Sequence, residues 1–159
     1  LQFPPVYGLS HFELADFNKD GYMDVLMTNG DNWDLSSIRK SYHGVRIFLN
    51  DRKNNFKEAF FNTVFGASKA MANDFDGDGD LDLFRGGEVM AHKYPYPPTS
   101  YLLINDKGKF VDKTNELAPD LLNIGMVKSA IGADVNGDKK AESVETDSSS
   151  IEAPTSIKE

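Results

Sequence analysis

Within the stretch Asn73 to Leu83, Asp74, Asp76, Asp78 and Asp82 stand at the first, third, fifth and ninth positions of a loop that starts at Asp74, with Gly79 at the sixth. Anions packed this closely repel one another unless a cation sits among them. A hard divalent ion such as Ca²⁺ takes six to eight oxygens at about 2.3–2.6 Å, from carboxylates, backbone carbonyls and water. The sixth position must turn back sharply, at positive φ, where glycine carries no Cβ penalty.

An EF-hand loop opens in the same way but closes on a bidentate Glu at its twelfth position, between two helices. Here Leu83-Phe84-Arg85-Gly86-Gly87 follows the ninth-position acid, and neither flank carries a long amphipathic helix. The stretch therefore reads as a calcium loop between two strands.

The same pattern recurs on either side. Asp16-Phe17-Asn18-Lys19-Asp20-Gly21-Tyr22-Met23-Asp24 precedes it, and Asp134-Val135-Asn136-Gly137-Asp138-Lys139-Lys140-Ala141-Glu142 follows. The first acids lie 58 and then 60 residues apart, a period that implies one supersecondary unit per repeat. A small-residue turn precedes each loop: Tyr7-Gly8, Phe65-Gly66 and Ile124-Gly125. Later in the unit, Val45 to Asp51 corresponds to Tyr101 to Asp106, each followed by a polar turn and a Phe-led run. Short β-type runs bounded by Asn, Asp and Gly read as hairpins. Each unit thus gives four strands, with the acidic loop joining the first to the second. A four-stranded sheet per repeat is a propeller blade.

The Tyr/Phe-Gly turn, the Asp-x-Asp/Asn-x-Asp-Gly-x-x-Asp loop and the Leu-x-Asn-Asp hairpin resemble FG-GAP/VCBS repeats, over residues 7–142. Such repeats build the calcium-binding propeller of integrin α subunits and of secreted bacterial surface proteins. The segment from Tyr94-Pro95-Tyr96-Pro97-Pro98 through Phe110 to Thr114 and Gly125-Met126-Val127 is similar to the ASPIC/UnbV-associated branch, which includes cartilage acidic protein. The resemblance implies an all-β chain: a β-propeller fragment of two four-stranded blades (7–62 and 63–120) and the start of a third (121–144). It implies structural Ca²⁺ held by Asp16, Asn18, Asp20, Tyr22 and Asp24, and by Asp74, Asp76, Asp78, Asp80 and Asp82. A third set would be Asp134, Asn136, Asp138, Lys140 and Glu142. Tyr22, Asp80 and Lys140 would contribute backbone carbonyls. It further implies a secreted, periplasmic or cell-surface module acting in protein interaction or adhesion.

Two departures matter. In the third loop Lys139 replaces the turn glycine and Glu142 the final Asp. A non-glycine residue in a left-handed turn costs about 1 kcal/mol, and two lysines add positive charge, so weaker binding or none is expected there. After Val144 the chain stays polar to Glu159, and residues 145–159 are expected to be a disordered tail.

The wider composition agrees. With 159 residues the chain is long enough for a sizeable core, and 40% hydrophobic content is a globular value. A net charge of −8 argues against nucleic acid and anionic membranes as partners. Two Ca²⁺ would bring that charge to −4. No apolar run approaches the roughly 18 residues of a membrane span. Cysteine is absent, which excludes disulfides and thiolate metal sites. The opening Leu1-Gln2-Phe3-Pro4-Pro5 has neither an initiator Met nor a signal pattern, and the expectation is a piece of something longer. Two blades and part of a third do not close a ring of about four to eight. The open edges are expected to meet the remaining blades of a longer chain or further copies.

Blade connectivity puts the calcium loops on one face and the long loops Asn29–His43 and Glu88–Ser100 on the other. The second face carries the ligand candidates Trp33, Arg39, Tyr42, His43, His92, Tyr94 and Tyr96, suited to a protein or a sugar ring. No catalytic residues are identified. The histidines are scattered, and neither His-Glu-x-x-His nor Gly-x-Ser-x-Gly is present. A binding module is expected rather than an enzyme. The alternatives are a carbohydrate-binding propeller or the propeller domain of a polysaccharide-degrading enzyme.

Overall fold

A computed structural model of the chain describes residues 8–30, 40–64, 67–87, 96, 99–133 and, by backbone alone, 142–146. Strands β1 (Leu9–Ala15), β2 (Asp24–Asn29), β3 (Gly44–Asn50) and β4 (Phe56–Thr63) form one four-stranded sheet in chain order. Strands β5 (Ala67–Asn73), β6 (Asp82–Gly87), β7 (Tyr101–Asp106) and β8 (Lys109–Asp112) form a second, again in chain order. Every neighbouring pair is antiparallel. The chain is all-β, and two such meanders are consistent with propeller blades. A third unit opens in the same way: β9 (Ser129–Ala133) pairs antiparallel with β10 (Glu142–Thr146). Strand β10 runs two residues past Val144.

Burial follows position in the sheet. All six residues of β2 and all six of β6 are buried, as befits inner strands covered on both faces, whereas β1 alternates. Alternate residues along a strand point to opposite faces, so each inner strand serves two cores. Leu26, Val45 and Ile47 of the first sheet pack against Ala67, Ala70, Leu83 and Leu103 of the second. On the far side of the second sheet, Met71, Phe84 and Leu102 meet Ala118, Leu121, Val127 and Ala130. The second sheet is therefore covered on both faces. Polar contacts bind the same layers: the Ser68 hydroxyl donates to the Val127 carbonyl at 2.6 Å, and Lys69 Nζ donates to His11 Nε2 at 2.9 Å.

The connection from β8 to β9 holds a short helix, α1 (Thr114–Leu117), and a 3-10 turn over Pro119–Asn123. The strand reading gives no place to either. Thr114 starts the helix with its N–H and hydroxyl both donated to Asp112 Oδ1, at 3.0 and 2.6 Å. Pro119 sits in the first turn of the 3-10 segment, where a missing N–H costs nothing. Ala118, between the two, and Leu121 of the 3-10 segment join Phe84 in the core.

The sequence pattern makes Phe12, Phe17, Phe56, Phe75 and Phe110 core or blade-to-blade packing residues, and the fold divides them. Phe75 is buried and Phe17, Phe56 and Phe110 pack at the core margins, but Phe12 is 57% exposed. Phe12 and Leu14 (56% exposed) lie on the outer face of the first sheet. At their repeat positions in the second sheet stand Ala70 and Ala72, which the first sheet covers. Exposure here depends on whether a neighbouring sheet lies over the face, and the local pattern carries no such information.

Candidate metal centre

The second loop leaves β5 at Asn73 and returns at Asp82. Its carboxylates fold inward because they hold the loop's own backbone. Asp74 Oδ1 accepts from Gly77 N at 2.8 Å and Asp74 Oδ2 from Gly79 N at 2.9 Å. Asp76 Oδ1 accepts from Asp78 N (3.0 Å), and Asp78 Oδ1 from Asp80 N (2.7 Å). These short Asp-to-backbone turns are local and need no distant contact. They bring one oxygen each of Asp74, Asp76 and Asp78 within 4.8 Å of one another. Oxygens sharing one Ca²⁺ lie at most about 5 Å apart, so this donor set fits a hard divalent ion. Gly79, at φ +90°, makes the expected sixth-position turn.

The first loop repeats this wiring. Asp16 Oδ1 accepts from Asp20 N (3.0 Å) and Asp16 Oδ2 from Gly21 N (2.8 Å). Asn18 Oδ1 accepts from Asp20 N (3.1 Å), and Asp20 Oδ1 from Tyr22 N (3.0 Å). Asn18 replaces an acid at the third position, so the first loop offers less negative charge. Among the described residues, a cluster of three close carboxylates occurs in the second loop. Of the third set, Asp134, Asn136, Asp138 and Lys140 lie outside the described residues, and only the backbone of Glu142 is described.

The ninth-position acids do something the spacing does not reveal. Asp82 is fully buried, and each of its oxygens accepts a backbone N–H at 2.8 Å: Oδ2 from Phe75, Oδ1 from Asn105. Asp24, also fully buried, does the same with Phe17 (2.9 Å) and Asn50 (2.8 Å). Asn105 and Asn50 return the contact through their amides, to the carbonyls of Leu81 (3.1 Å) and Met23 (3.2 Å). Each pair locks the acidic loop to the far end of the third strand of its blade. A carboxylate oxygen holding one N–H keeps a second lone pair, so the lock is compatible with ligation. Burial pushes the Asp82 carboxyl above its ordinary value, while the two N–H donors act against that shift.

Basic side chains also enter this face. Arg52 Nε, in the turn between β3 and β4, lies 3.1 Å from Asp20 Oδ2. Desolvation raises the Asp20 carboxyl, but the hydrogen bonds from Arg52 and Tyr22 N outweigh it and hold the group below its usual range. Lys19 of the first loop reaches Asp80 Oδ1 of the second at 2.6 Å. That hydrogen bond is the main reason the Asp80 carboxyl sits below its ordinary value.

On the opposite face the candidates divide. Tyr96 is 69% exposed. His43 is buried, edge-on to Tyr42 with ring centroids 4.9 Å apart, and its backbone ties Lys40 to Val64. Trp33, Arg39, His92 and Tyr94 lie outside the described residues. Two buried arginines near this face were not singled out by sequence. Arg46 bonds Glu58 (3.0 Å) and Asn29 and lies 3.7 Å above the Phe61 ring. Arg85 lies 4.0 Å above the Tyr101 ring, donates to the Thr99 carbonyl, and is pushed down to about 10 by burial. An arginine inside an apolar strand was the available signal.

No curated protein and no solved structure matches the chain. Residues 74–144, which open on the first acid of the second loop and run into β10, match the family model of an FG-GAP-like repeat, supporting the FG-GAP/VCBS repeat family for this chain.

Proposed function

We propose that the chain is a calcium-binding propeller module of a secreted, periplasmic or cell-surface protein. Its acidic loops hold structural Ca²⁺, and its opposite face meets a protein partner. The observation that carries this reading is the convergence of the Asp74, Asp76 and Asp78 oxygens within 4.8 Å on a loop that also matches an FG-GAP-like repeat. Asp74, Asp76 and Asp78 would hold the ion in the second loop, and Asp16, Asn18 and Asp20 in the first. The ion would supply charge neutralisation and closure of the bend between the first two strands of each blade. The module itself is non-catalytic in this reading. Loops of this type suit the millimolar calcium outside cells, where extracellular modules bind at about 10⁻⁴–10⁻³ M.

Calorimetric titration of Ca²⁺ into chelator-stripped protein tests it. Two binding events are expected, one lost in Asp20→Ala and the other in Asp78→Ala. Absence of any heat above dilution would refute the reading. The exposed Tyr96 also suits stacking on a sugar ring, so a glycan array separates a carbohydrate partner from a protein one.

The outer face of the first sheet belongs to the same proposal. Phe12 and Leu14 at one end and Ile131 (63% exposed) at the other mark surfaces that further blades or copies would cover. In solution the chain is expected to associate beyond its 17.7 kDa mass at micromolar concentration. A compact monomer by sedimentation would count against this.

A further inference from the structure

Lys19 holds the fourth position of the first loop with φ +56°, a left-handed conformation that disfavours any side chain. Its counterpart in the second loop is Gly77, at φ +82°. A lysine where glycine fits better points to a role for its side chain. Its ammonium leaves its own loop, crosses to the next blade, and lies 2.6 Å from Asp80 Oδ1. It hovers over the turn glycine of the second loop: a Cβ added to Gly79 would lie 3.6 Å from Lys19 Nζ. The negative charges of Asp78 and Asp74 in the same loop act on it as well.

We propose that Lys19 is a resident counter-cation of the second loop, supplied by the first, and that it sets the Ca²⁺ affinity of that loop across the blade boundary. This rests on the calcium reading given above. In the metal-free protein the ammonium offsets part of the repulsion among Asp74, Asp76, Asp78 and Asp80. An entering Ca²⁺ meets a positive charge already at the rim and binds less tightly than the acids alone would allow. The bridge also couples the loops, because closure of the first loop around its own ion fixes the backbone from which Lys19 reaches. Arg52 sits on Asp20 from within the same blade, so the first loop has a counter-cation of its own. What is particular to Lys19 is that it joins two repeats, 61 residues apart in sequence.

The test is Ca²⁺ titration of the whole chain as wild type, Lys19→Met and Lys19→Arg, with Asp78→Ala identifying the event that belongs to the second loop. At an ionic strength of about 0.01 M, where charges interact over about 30 Å, Lys19→Met should tighten that event. The expected gain is about two- to five-fold, the range of an exposed ion pair. Lys19→Arg should bind as wild type does, and the gain should vanish at about 1 M salt, where screening acts within about 3 Å. In chelator, Lys19→Met should melt lower than Lys19→Arg. An Asp78-dependent event with equal affinity in Lys19→Met and wild type at low salt would overturn the proposal and leave the calcium reading standing. The absence of any Asp78-dependent event would overturn both.

Discussion

Asp82→Ala is expected to lower the unfolding free energy by about 3 kcal/mol or more, in chelator as well as in calcium. The estimate comes from two buried backbone donors, Phe75 N and Asn105 N, each losing a partner at 2.8 Å. A buried donor left unsatisfied costs about 1–3 kcal/mol. Asp24→Ala should behave alike in the first blade, where Phe17 N and Asn50 N lose the same support. Asp76→Ala supplies the contrast. Its carboxylate is exposed and holds one N–H within the loop, so in chelator the change should stay within about 0.5 kcal/mol. Urea unfolding with and without calcium separates the roles. A ninth-position acid should matter in both conditions, and a third-position acid only when the ion is present. Equal, small effects of Asp82→Ala and Asp76→Ala in chelator would remove the lock.

Phe84→Ala should cost about 3–5 kcal/mol, the usual range for deleting a fully buried phenyl ring. Phe84 is wholly enclosed at the centre of the cluster that joins the second sheet to Leu121, Val127 and Ala130. Its loss would open the cluster against which the start of the third unit packs. Hydrogen exchange should therefore show β9 and β10 losing protection before the first sheet does. A uniform loss across both sheets, or a cost below about 1 kcal/mol, would mean that this cluster is not what docks the third unit.

The acidic loops, the repeat and the eight strands of the two sheets were legible in the sequence because each is a local pattern. Asp-x-Asp-x-Asp-Gly wires its own backbone, and alternating apolar runs between Asn, Asp and Gly have few other uses. What escaped reading was set at a distance. An acid at the ninth position looks the same whether its oxygens meet an ion or the N–H groups of Phe75 and Asn105. Asn50 and Asn105 read as turn residues, and only the fold brings them to Asp24 and Asp82. Lys19 reads as a solvated loop residue until the second blade stands beside it. The left-handed fourth position was hidden in the first loop by a lysine, although Gly77 marks it in the second. Phe12 shows the limit in the opposite direction, since its pattern suits a core and a blade-to-blade position alike, and only the fold places it on an open face.

The most direct measurement is a crystal structure grown with Ca²⁺ and phased for anomalous signal at the two described loops. The expected result is a peak among the Asp74, Asp76 and Asp78 oxygens, with ligand distances of about 2.3–2.6 Å, and a second peak among Asp16, Asn18 and Asp20. Loops with the same backbone hydrogen bonds but only water between the carboxylates, at millimolar calcium, would contradict the proposed role of the ion.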